Sequence, residues 1–179
     1  MFQLFWACAS FFGFDVTVVL RYLQNCFLLV IPALVLNLLW ATRLPPMWQF
    51  EFFWKDIPPA IAYGENISRI VVNVLPVFMP LRVSTKRQKT GLVVYVVGIL
   101  IYLLAWVLLV YFPESTWSTS LIGSTAAAWT SLLWILGIGL IGDSLYIPIP
   151  YRSWLYVLAS VIFAIFHTLH ALIVYLRMP

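Results

Sequence analysis

The side chains able to do chemistry in this chain fall in two short stretches, each with helical spacing. Glu65, Arg69 and Asn73 stand at i, i+4 and i+8, so a helix through them carries all three on one face. His167 and His170 stand at i and i+3 in the run FAIFHTLHALIVY, about 60° apart around a helix. Glutamate placed one turn N-terminal to arginine is the favourable order for an ion pair. Together Glu65 and Arg69 could bind a polar or zwitterionic group, with Asn73 adding hydrogen bonds. The two histidines could relay protons near neutral pH. They could also supply two ligands to a metal, which would need a third such as Glu65 or Asp15. Lying on one side of one helix, they cannot supply opposite axial ligands to a haem. No HExxH or other zinc pattern accompanies them, and no GxSxG-type nucleophile motif occurs. The expectation is therefore a ligand-binding set made of Glu65, Arg69, Asn73, His167 and His170, with no metal, no cofactor and no assigned catalytic residue. The competing structural reading is a Glu65–Arg69 pair at a membrane edge and two histidines hydrogen-bonded between helices.

These residues are embedded in a very apolar chain. Of 179 residues, 64% are hydrophobic and only 9% charged. A water-soluble domain carries about a quarter charged residues, so most of this surface must face lipid. A charge in hydrocarbon costs a few kcal/mol or more unless paired or wetted, which turns Arg69 toward the bundle interior or an interface. The nine Trp and nine Tyr fit an interfacial belt. The net charge of +4 comes from scattered basic residues, so no nucleic-acid surface is expected. Cys8 and Cys26 match no zinc or redox spacing. Placed in two arms of a helical hairpin, they would differ by roughly 15 Å in depth, too far for a disulfide.

The elements that must position the candidate residues are membrane spans, each about 20 apolar residues long. The expected fold is all-α: a polytopic transmembrane helical bundle of five or six spans forming a single domain. Five spans are expected at 24–42, 66–82, 91–112, 121–142 and 153–176. Residues 2–20 form the sixth candidate, with a surface-lying helix as the alternative. Between the first two firm spans, residues 44–64 form an aromatic-rich interfacial connector. It includes Trp48, Phe50, Phe52, Phe53, Trp54 and Tyr63, and reads either as a lid or as a segment resting on the bilayer. The spacing of Glu51 and Lys55 predicts one helical turn within it. Pro76 should kink the span that carries Arg69 and free the carbonyl of Val72.

Arg82, Lys86, Arg87 and Lys89 gather around a connection at 84–90, which the positive-inside rule places in the cytoplasm. Threading from there puts both candidate stretches in the outer halves of their spans. They could form one outward-opening polar site if their helices are neighbours. Gly137, Gly139 and Gly142 spell GxGxxG, but they close an apolar span and lack the strand-to-helix context of a nucleotide loop. Gly123, Ala127 and Ser131, like Ser160 and Ala164, suit close helix packing. Asp143 and Arg152 could pair across a short loop.

Three functions are compatible with these readings. The leading one is a small transport or ligand-binding membrane protein. The alternatives are an intramembrane enzyme acting on a lipid or isoprenoid, and a structural or accessory membrane subunit. The expected partners are the lipid bilayer, a small-molecule or lipid ligand, and a second copy or another intramembrane protein.

Overall fold

The computed structural model describes residues 22–177. Helix α1 (Ile31–Trp40) is flanked by 3-10 turns at Cys26–Leu29 and Ala41–Arg43. A short α2 (Phe50–Phe53) follows, then α3 (Pro59–Val74), α4 (Lys86–Tyr111), α5 (Leu121–Ser124), α6 (Ala126–Ile141) and α7 (Ser153–Tyr175). Among the described residues there is no strand, only one isolated bridge between Asn25 and Pro80. Among the described residues, three stretches are long and apolar enough to cross a membrane: Cys26–Arg43, Lys86–Tyr111 and Ser153–Tyr175. Helix α6 is apolar but shorter. The expectations for residues 2–20, with Cys8 and Asp15, lie outside the described residues.

Local sequence explains where the helices begin and end, including where expectation and structure part. Helix α3 starts at Pro59 rather than at residue 66. A proline is well suited to a first turn, where its missing N–H would be unpaired anyway. Asp56, just upstream, takes a positive φ of 52°, which turns the chain into that start. Glu65 thus stands near the middle of the helix rather than at its first residues. At the other end Pro76 does not kink a continuing span. The α-helix stops at Val74 and tightens into a 3-10 turn at Leu75–Phe78. The Val72 carbonyl left without a helical donor accepts from the Tyr156 hydroxyl at 2.9 Å.

Residues 84–90 are not a loop throughout, because α4 begins at Lys86. Thr85 and Gln88 form a capping box. The Gln88 backbone N–H donates to the Thr85 hydroxyl at 3.2 Å, and the Thr85 N–H donates to Gln88 Oε1 at 3.1 Å. The expected span at 121–142 is broken at Thr125. The Ser124 and Thr125 hydroxyls both donate to the Leu121 carbonyl and compete with the helical ladder there. Asp143 does not pair with Arg152. Its carboxylate accepts instead from Gln88 Nε2 at 2.9 Å, tying the end of α6 to the start of α4.

Helices α4 and α6 share the most intimate contact, and glycine makes it. A Cβ on Gly98 would lie 2.5 Å from the Trp134 backbone nitrogen, and one on Gly137 2.5 Å from that of Tyr95. The GxGxxG run is therefore a packing device whose glycines each meet a different neighbour: Tyr95, Tyr156 and Met79. Helix α7 lies against both α3 and α6. Gly64 lets Phe166 come close, which brings α3 and α7 together beside Glu65. The core that results is aromatic and aliphatic, with Tyr102, Trp106, Trp134, Ile135, Ile138 and Tyr156 at its centre. Large aliphatic side chains such as Leu38, Leu100, Leu104 and Ile165 point outward instead, as lipid-facing helices require.

Candidate functional site

Helices α3 and α7 bring the two chemical stretches of the sequence to one point, the carboxylate of Glu65. Glu65 is fully buried. Arg69 Nη2 donates to its Oε1 from one turn away on α3. From α7, His167 Nδ1 lies 2.9 Å from Oε1 and His170 Nδ1 2.5 Å from Oε2. The i,i+3 spacing of the histidines is what allows both rings to reach a single carboxylate. A buried carboxylate is tolerated only when its oxygens are filled in this way.

Proton positions follow from donor and acceptor chemistry. The far nitrogen of His170, Nε2, lies 2.6 Å from the backbone carbonyl oxygen of Phe53. A carbonyl only accepts, so Nε2 carries a hydrogen and donates. At Nδ1 one proton is shared with Glu65 across the short contact. Whether drawn as carboxylate and imidazolium or as acid and imidazole, the Glu65–His170 pair sums to zero charge. Arg69 is consequently left with its positive charge uncompensated by that pair.

The rest of the His170 ring is boxed by aromatics from the connector. Phe53 stacks on it with centroids 3.9 Å apart, and Trp54 meets it edge-on at 4.6 Å. Trp54 also lies under the Arg69 guanidinium, 5.6 Å from ring centroid to Cζ. Arg177, beyond the end of α7, donates to the carbonyls of Lys55 and Asp56. The segment carrying α2 is thus held down over the ends of α3 and α7 by backbone carbonyls and ring contacts.

Beside this cluster lies a cavity of about 680 Å³. It is walled by α1, the 48–54 segment, α3, α4, α6 and α7, with Val72, Leu109, Ile135 and Phe163 among its apolar surfaces. That volume falls in the usual range for a small-molecule site. Of the five residues singled out from sequence, Arg69, Asn73 and His167 line it. The other two, Glu65 and His170, are fully buried behind that wall. They are positioning residues: Glu65 orients Arg69 and His167, and His170 joins Glu65 to the connector. Asn73 donates from Nδ2 to the Arg69 backbone carbonyl at 2.7 Å. His167 stacks on Phe163, with centroids 5.2 Å apart.

The wall has a second polar region that the sequence reading did not single out. Tyr102 on α4 donates its hydroxyl to Asn37 Oδ1 on α1 at 2.6 Å. Trp106 and Trp134 pack around Tyr102, and the indole nitrogens of both are buried; that of Trp134 has no hydrogen-bond partner among the described residues, whereas Trp106 is hydrogen-bonded to Tyr102. Asn37 and Tyr102 were findable as polar groups inside apolar runs. The unpaired Trp134 indole was not, because a Trp in a span usually signals an interface. Among the described residues, no three His, Cys, Asp or Glu side chains are arranged to hold a metal ion. The Nδ1 atoms of both histidines are engaged by Glu65, and the remaining nitrogen of His170 by Phe53. No protein-family model matches this chain, and comparison with curated proteins and with solved structures likewise yields no match.

Proposed function

We propose that this chain is a multi-pass membrane protein whose cavity binds a small amphiphilic ligand, in a transport or ligand-presenting role. The observation that carries the reading is the buried Glu65 clamp. It holds Arg69 and His167 in fixed orientations on the wall of an otherwise largely apolar cavity. A protein that needed only to glue α3 to α7 would do so with less chemistry. A Glu–Arg–His–His constellation is costly to bury, and its exposed members point where a ligand would sit. The connector around Phe53 and Trp54 acts as the cover of this site, latched through His170. Binding is tested by the retention of an amphiphile on the purified protein and its loss in Arg69→Gln.

The same reading extends to topology. Five or six spans cross the bilayer, the basic stretch around 84–90 lies in the cytoplasm, and the cavity opens to the opposite side. Support comes from the three long apolar stretches and from Arg82, Lys86, Arg87 and Lys89 lying close together. A cysteine placed at Lys86, with Cys8 and Cys26 replaced, should react with an impermeant maleimide only after the cells are opened. Labelling of intact cells would refute this orientation.

A further inference from the structure

The proton count at Glu65 selects among amphiphiles. One proton lies between Glu65 Oε2 and His170 Nδ1, and a second is fixed on His170 Nε2 by the Phe53 carbonyl. The pair is neutral however the shared proton is drawn, so the cluster retains the full charge of Arg69. Arg69 is the member of that cluster able to meet a ligand's charge: its side chain is 38% exposed and it lines the cavity. One carboxylate lines the cavity, that of Glu51; it is solvent-exposed, makes no ion pair with Arg69, and also borders a separate surface depression with Lys55.

Two tryptophans, Trp106 on α4 and Trp134 on α6, line the cavity with their ring carbons, are 8% and 6% exposed, and keep their indole nitrogens buried. Positive charge on the wall at Arg69 calls for an anionic group on the occupant. Val72, Leu109, Ile135 and Phe163 call for an apolar body.

We infer that the ligand is an anionic amphiphile, with a carboxylate or phosphate on Arg69 and an aliphatic chain along the apolar wall. This rests on the ligand-binding reading given above. The experiment uses the full chain in phosphatidylcholine nanodiscs and follows tryptophan quenching by a brominated stearic acid and by its methyl ester. The acid should half-saturate quenching at a concentration roughly ten-fold lower than the ester, the contribution expected of charge-assisted hydrogen bonds. Arg69→Gln should erase that difference. The comparison of acid with ester is made on the wild type, so the test stays decisive if the Arg69 variant does not fold.

Saturable quenching of equal strength by acid and ester would overturn the anionic assignment while leaving the ligand-binding reading in place. Quenching by neither would overturn both. Competition separates the two sources of charge. Displacement of the brominated acid by phosphatidic acid below the concentration of stearic acid needed identifies a phospholipid headgroup. The reverse order identifies a free carboxylic acid.

Discussion

At the residue scale, Glu65 is the centre on which Arg69, His167 and His170 depend, and the three dependents are unequal. Removing the shared acceptor strands three donors from two helices, whereas removing Arg69 deletes a partly solvated partner and leaves the histidines bonded. Glu65→Ala should therefore destabilise the protein by about 3–5 kcal/mol, the range for breaking a buried charged network from one side. Arg69→Ala should cost about 1 kcal/mol, as solvent-screened pairs do. Thermal unfolding in detergent compares them, and a larger loss in Arg69→Ala would contradict the clamp. The spacing of Glu65, Arg69 and Asn73 made their common face legible from sequence, and the i,i+3 histidines likewise. What spacing cannot convey is that both imidazoles turn their Nδ1 atoms to one carboxylate on another helix. That depends on how closely α3 and α7 approach, which is set by Gly64 under Phe166. Nor does spacing tell a residue that touches a ligand from one that holds it in place. Under the ligand-binding proposal, Glu65 and His170 are of the second kind.

Among the elements, the junction after α3 shows how a local backbone defect is repaired by a distant side chain. The lost donor at Pro76 is local chemistry and could be read directly. Its consequence, a helix that ends rather than kinks, depends on Tyr156 of α7 supplying the missing donor to Val72. Tyr156→Phe should cost about 1–3 kcal/mol by leaving that carbonyl buried and unpaired. Pro76→Ala should recover part of the loss in the Tyr156→Phe background, because it restores a backbone N–H near Val72. A double-mutant cycle measures the coupling, and strict additivity would show that the hydroxyl and the proline do not share the carbonyl. The start of α4 carried a plain signal in Thr85 and Gln88, a Thr-x-x-Gln box. The cluster of charges around it resembles a loop because basic residues also mark span boundaries. A helix can begin inside such a cluster when its first turn is capped, and this one does.

Over the whole molecule, composition alone announced an all-helical protein with more apolar surface than water tolerates. The long stretches at Cys26–Arg43, Lys86–Tyr111 and Ser153–Tyr175 answer to it. The neighbour relations of the helices were not legible, since apolar spans resemble one another and their partners are chosen by small residues such as Gly98 and Gly137. Those relations place the cavity between α1, α3, α4, α6 and α7, with the α2 segment across it. The central claim is that this cavity holds a ligand through Arg69, and native mass spectrometry of the gently solubilised protein addresses it most directly. The wild type should carry a bound molecule of defined mass in near-stoichiometric amount. Arg69→Gln should carry roughly ten-fold less, the loss of one charge-assisted contact. An Ile165→Ala control, altered on the outward face, should match the wild type. Equal occupancy in all three proteins, or a wild type that carries nothing, would contradict the account and return the Glu65 cluster to a purely structural role.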